Sequence, residues 1–194
     1  MESDKKMRIC GGNLKGKKLI FSNDKITRPL KEIVKQSIFN TVINSNKFNI
    51  KLIDANILDL FSGTGSFGIE CLSHGASHVT FIEKDKNIFN LLKKNLTQLD
   101  LIKKCEIFNK DINQFFEKNL TKVSYDIVFL DPPFINQEYK NIFRYLQGNN
   151  ILKKNNLLIL HRENKTKENL EKFIKIYAQR RFGRSKILYC TLLN

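Results

Sequence analysis

The chain has 194 residues, 41% hydrophobic and 27% charged, which is enough apolar matter for one packed domain and rules out disorder throughout. No apolar run reaches the ~20 residues that span a bilayer, and the start Met1-Glu2-Ser3-Asp4-Lys5-Lys6 lacks the apolar stretch of a secretory signal. Lys plus Arg number 34 against 19 Asp plus Glu, a formal charge of +15 that attracts polyanions, nucleic acid first.

Residues 8–21 read as a β-hairpin, two short apolar runs around Gly11, Gly12 and Gly16. Pro29 then opens a helical pattern in which Ile33, Val34, Ile38, Phe39 and Val42 recur at helical spacing. The segment 43–55 is polar and reads as a joint, giving an N-terminal piece (1–50) and a main domain (51–194). From Asn56, strands near 57–61, 79–83, 105–108 and 125–130 alternate with helices near 66–74, 86–99 and 138–147. A strand near 156–161, a helix near 166–172 and strands near 173–178 and 186–193 complete the pattern. This β/α order predicts an α/β fold with a mostly parallel sheet and helices on both faces. Cys10, Cys71, Cys105 and Cys190 form no C-x-x-C pair. That argues against disulfides and a zinc site, and for a reducing cytoplasm.

The first strand runs into Asp59-Leu60-Phe61-Ser62-Gly63-Thr64-Gly65-Ser66-Phe67-Gly68. Gly63, Gly65 and Gly68 make G-x-G-x-x-G, a turn that lets a ligand approach the backbone. Alone the pattern is weak, but Glu83 ends the next strand twenty residues after Gly63, where a carboxylate can accept from both ribose hydroxyls of a nucleoside. Asp59 would repel a pyrophosphate and suits a cationic ligand, which favours S-adenosyl-L-methionine over a dinucleotide. Phe61, Ser62, Thr64 and Lys84 flank this site. Asp111 can accept from an adenine amino group with Ile112 packing on the ring; as a helix N-cap, Asp111 would serve structure alone.

The fourth strand ends in Asp131-Pro132-Pro133-Phe134. Two prolines stiffen the turn and aim the Asp131 carboxylate and the Pro132 carbonyl at one point, beyond the C-terminal edge of the sheet where α/β sites lie. Two convergent acceptors suit an exocyclic amine on a nucleobase, and Phe134 can stack on the base. His74, His78 and His161 read as structural. The chain's ends are basic: residues 1–30 hold eight cations and three acids, and residues 175–194 hold five cations and no acid. Only seven of the cations are arginine, and an AT-rich coding sequence explains part of the lysine excess. The candidate RNA contacts are Arg8, Lys15, Lys17, Lys18, Arg28, Arg180, Arg181 and Arg184.

The run Leu58 to Ala76 together with Asp131-Pro132-Pro133-Phe134 resembles the RsmD-type 16S rRNA (guanine-N2)-methyltransferases. The leader Arg8-Ile9-Cys10-Gly11-Gly12 with Lys15-Gly16, then Arg28-Pro29 and Ser37-Ile38-Phe39-Asn40, matches that family, as does Arg181-Phe182-Gly183. The resemblance implies a Rossmann-like class I methyltransferase sheet of seven strands with a small N-terminal hairpin and helix. It implies S-adenosyl-L-methionine as cofactor, with Glu83 on the ribose and Asp111 near the adenine, and no metal. Asp131 and Phe134 fall at the target amine, a guanine of 16S rRNA in the small subunit or its assembly intermediate, the family site being guanine-966. Two positions depart from the family pattern: Leu30 follows Pro29 where Thr is usual, and Lys35 stands where Arg is common. No heptad or repeat points beyond a monomer. The alternatives are an adenine-N6 methyltransferase on DNA or RNA, a catalytically inactive RNA-binding or ribosome-assembly module, and, more distantly, an NAD-dependent dehydrogenase.

Overall fold

The computed structural model describes residues 7–21, 30–45, 48–118, 123–132, 139–148, 151–166 and 170–193. The glycine-rich leader forms the expected hairpin, with β1 (Met7–Arg8) antiparallel to β2 (Lys18–Leu19). Pro29 lies outside the described residues, and helix α1 spans Glu32–Asn44. Its buried stripe is Val34, Lys35, Ile38, Phe39 and Val42. Ile33, expected on that stripe, is 65% exposed. Lys35 holds the inward position because an acid meets it there. Its Nζ lies 2.9 Å from Glu70 Oε2 and 2.8 Å from the Arg8 carbonyl, and both charged side chains are fully buried. Leu30 is buried as well, in the same apolar cluster as Met7 and Ile9. The two departures from the family pattern are thus core positions.

Phe48 and Leu52 are buried, and Phe48 stacks on Tyr189 with ring centroids 5.5 Å apart. The N-terminal piece and the sheet share one apolar cluster.

Five apolar runs become parallel strands: β3 (Asn56–Leu60), β4 (His78–Ile82), β5 (Cys105–Phe108), β6 (Tyr125–Leu130) and β7 (Leu152–Glu163). The edge strand β8 (Ile174–Phe182) and β9 (Ser185–Leu192) form an antiparallel hairpin around Gly183 (φ +55), and β9 pairs antiparallel with β7. The seven-stranded order is β5-β4-β3-β6-β7-β9-β8. The order reverses between β3 and β6, and ligand sites in such sheets lie outside the C-terminal ends of the strands that flank this point.

Alternation along each strand sorts the core into two layers. Ile57, Val79, Phe81, Ile127, Phe129, Leu157 and Ile159 face α1, α2 (Ser66–Ser73) and α3 (Lys86–Gln98). Leu58, Leu60, Ile82, Val128, Leu130 and Leu158 face α4 (Ile112–Glu117) and α5 (Tyr139–Gly148). The middle of the helix expected near 166–172, residues 167–169, lies outside the described residues. Phe173 and Ile174 donate back to the Leu170 carbonyl at 2.9 and 3.1 Å, one turn that leads straight into β8. Leu170 and Ile174 are both buried and anchor the start of β8 to the core.

Candidate active site

The glycine turn sits where β3 ends and α2 begins, as its spacing predicts. Gly63 and Gly65 take φ +56 and +87, conformations that suit glycine. A side chain on Gly63 would point into open space, so the backbone there is accessible to a ligand. At Gly68 a Cβ would run into the Phe81 ring, so this glycine lets α2 lie close against β4. Phe61 holds φ +61 and packs its ring on the α4/α5 layer. Ser62 and Thr64 are buried. The Ser62 hydroxyl accepts from Ile82 N–H at 2.8 Å and lies 2.7 Å from the Asp59 carbonyl; it ties the turn to β4 instead of facing outward.

Glu83 joins this turn from the end of β4. One carboxylate oxygen accepts from Gly63 N–H at 2.9 Å and the other from Asp85 N–H at 2.8 Å. Burial raises its pKa above the usual carboxylate value, and the two backbone donors oppose that rise. Lys84 is exposed, and its carbonyl accepts from the Asn109 amide.

Asp59 is 1% exposed, and its Oδ2 accepts from Gly68 N–H at 3.0 Å in the first turn of α2. Burial pushes its pKa well up; the Gly68 bond opposes this, and the charges of Asp131 and Glu83 add to it. Asp131 and Glu83 thus both stand near enough for Asp59 to feel their charge. Asp111 caps α4, accepting from Asn113 N–H at 2.9 Å, and Ile112 is buried in the core. Of the two roles open to Asp111, the cap is the one formed here.

Asp131 follows β6 directly and stays partly exposed at the rim, while Pro132 is buried. Pro133 and Phe134 lie outside the described residues. Asp131 has a neighbour that sequence reasoning missed: His161 Nδ1 lies 2.8 Å from Asp131 Oδ1. The signal was present but indirect. Leu130 pairs with Leu160, so the residues that follow fall side by side.

The candidate RNA contacts Arg8, Lys15, Lys17, Lys18, Arg180, Arg181 and Arg184 are all exposed; Arg28 lies outside the described residues. Described parts of both basic segments reach α1. The Arg8 carbonyl binds Lys35, and Arg180 lines a groove of about 530 Å³ with Ser37, Asn40 and Thr41.

The open Gly63 backbone, the Glu83 carboxylate tied to it and the nearby acids Asp59 and Asp131 fit a nucleoside that carries positive charge. Strand order, the glycine turn and the acid that ends β4 together define the class I, S-adenosylmethionine-dependent methyltransferase fold. Comparison with known proteins agrees. The family described as Conserved hypothetical protein 95 matches residues 7–191. Ribosomal RNA small subunit methyltransferase D of Haemophilus influenzae is 35% identical over 158 residues, 81% of this chain and 79% of that one. The solved yhhF chain of Escherichia coli has a TM-score of 0.80 at 26% identity, over 95% of this chain and 97% of that one. A methyltransferase-like chain solved with SAH shares the fold at a TM-score of 0.66 and 18% identity, covering 82% of this chain and 49% of that one. The chain belongs to the Conserved hypothetical protein 95 family, the RsmD family.

Proposed function

We propose that the protein methylates the exocyclic N2 amine of a guanine in small-subunit ribosomal RNA. The observation that carries this reading is the placement of Asp131 at the sheet's rim, partly exposed and near enough to buried Asp59 to oppose its ionisation. S-adenosyl-L-methionine, when bound, supplies the activated methyl carbon. Glu83 would hold the ribose hydroxyls, the Gly63–Gly65 backbone would let the ligand approach closely, and Asp59 and its neighbouring acids would favour a cationic group over a phosphate.

An aromatic amine is a weak nucleophile because its lone pair is spread into the ring. Asp131 and the Pro132 carbonyl accept its protons, which draws the pair back onto nitrogen. As the nitrogen gains carbon and positive charge it sheds one proton, and Asp131 is positioned to receive it. Holding the reactants in line contributes about 7–11 kcal/mol of barrier lowering in well-oriented cases, so the site needs positioning more than a strong base. A guanine stacked in RNA must first leave its stack, at a cost of a few kcal/mol.

The N-terminal piece, residues 1–50, and the edge hairpin carry the RNA contact. Arg8, Lys15, Lys17 and Lys18 on one side and Arg180, Arg181 and Arg184 on the other face water and neutralise phosphates. The substrate in this reading is the small subunit or an assembly intermediate. Small subunits from a strain lacking the gene, treated with the protein and labelled cofactor, yield N2-methylguanosine on nucleoside mass analysis. Recovery of N6-methyladenosine alone overturns the base assignment. RNA binding with no methyl transfer overturns the enzymatic reading.

A further inference from the structure

We propose that His161 is a positioning residue for Asp131, fixing one carboxylate oxygen so that the other is turned to the target amine. The inference deepens the methyl-transfer reading above and rests on it. An ionised carboxylate only accepts hydrogen bonds, so across the 2.8 Å contact the imidazole Nδ1 carries the proton and donates it.

The pairing is built into the sheet. β6 and β7 run parallel in the register Leu130 with Leu160, and both residues face the α4/α5 layer. His161 therefore turns to the opposite layer, as Asp131 must to meet it. On its other side His161 pairs with Ile187 of β9, which is fully buried, so the ring has an apolar wall behind it. The His161 side chain is 12% exposed and that of Asp131 23%, a partly dry setting in which the bond gains strength.

The bond answers a specific difficulty at this rim. A carboxylate turns freely about its last torsion, whose preference is broad. Asp59 on β3 stands close enough for its ionisation to feel the Asp131 charge. Anchoring Oδ1 on β7 orients Asp131 away from that neighbour. Oδ2 is then the oxygen left to accept from the amine, and the carboxylate arrives with its orientation already set.

The test compares His161→Ala with His161→Asn, whose amide nitrogen can stand near the Nδ1 position. In His161→Ala, kcat for methyl transfer falls between about 10-fold and 100-fold, the scale of a displacement on the order of 1 Å. KM for the small subunit and the affinity for S-adenosylmethionine stay at wild-type values, and His161→Asn recovers most of the rate. Wild-type kcat in His161→Ala overturns the inference. So does a loss of cofactor affinity and folding stability that Asn does not rescue, because that marks a structural role alone. A second measurement needs no turnover: the Nδ1 resonance of ¹⁵N-labelled His161 in the free protein moves in Asp131→Ala. An unmoved resonance overturns the pairing. If the wild-type protein methylates no guanine, the proposed function fails, and the resonance still decides whether the pair exists.

Discussion

Replacing Lys35 by Met tests how the leader is held to the sheet. The Lys35 ammonium lies 2.9 Å from Glu70 Oε2, with both side chains at 0% exposure. Glu70 also accepts from Cys10 N–H at 2.9 Å and Gly11 N–H at 2.6 Å. Removing one partner of such a pair leaves a buried charge without its counterion, which costs about 3–5 kcal/mol. The two remaining backbone donors put this case near the lower end, about 3 kcal/mol or roughly two orders of magnitude in the folded-to-unfolded ratio. The double variant Lys35→Met/Glu70→Gln removes the stranded charge and keeps a carbonyl for the Cys10 and Gly11 amides. It should therefore regain about 1–2 kcal/mol over the single variant. Urea denaturation followed by circular dichroism reads both values. A loss below about 1 kcal/mol in Lys35→Met, or a double variant less stable than the single one, refutes the reasoning.

Two further outcomes follow from the site and the basic face. Glu83 ionises at a higher pH than an ordinary carboxylate because it is buried, and in the proposed reading its ionised form accepts the ribose hydroxyls; titration calorimetry should then show cofactor affinity falling as pH drops through that raised pKa. Glu83→Gln binds weakly throughout and loses this acid limb. Arg180→Ala/Arg181→Ala should raise KM for the small subunit and lower the slope of log affinity against log salt by about 1 for each phosphate no longer neutralised, with cofactor affinity unchanged.

The sheet was legible because its strands are short apolar runs. Cys105–Phe108 and Tyr125–Leu130 stand where the residues placed them; in the central strand Tyr125–Leu130 every residue but Asp126 is buried, as a nearly all-apolar run requires. Glu83 was legible from spacing, because a glycine turn and the end of the next strand are neighbours in any βαβ unit. Lys35 was not: helical periodicity ranks residues by polarity, and only an acid 35 positions along the chain, reached through tertiary packing, makes a lysine a core residue. The polar look of 43–55 hid Phe48 and Leu52 for the same reason, since two apolar side chains suffice to pin a connection. Asp111 carried two readings, and the structure shows the cap, one carboxylate oxygen accepting from Asn113 N–H, while the adenine contact stays a proposal. His161 needed strand register, which no single strand's sequence contains.

The account turns on Asp131 touching the target amine. Single-turnover methylation of deficient small subunits by Asp131→Ala, alongside cofactor binding to the same variant, tests this most directly. The rate should fall by about 10²–10³, the loss expected when a preorganised hydrogen-bonding group at the reacting atom is removed, while S-adenosylmethionine binds as in the wild type. An unchanged rate would contradict the account.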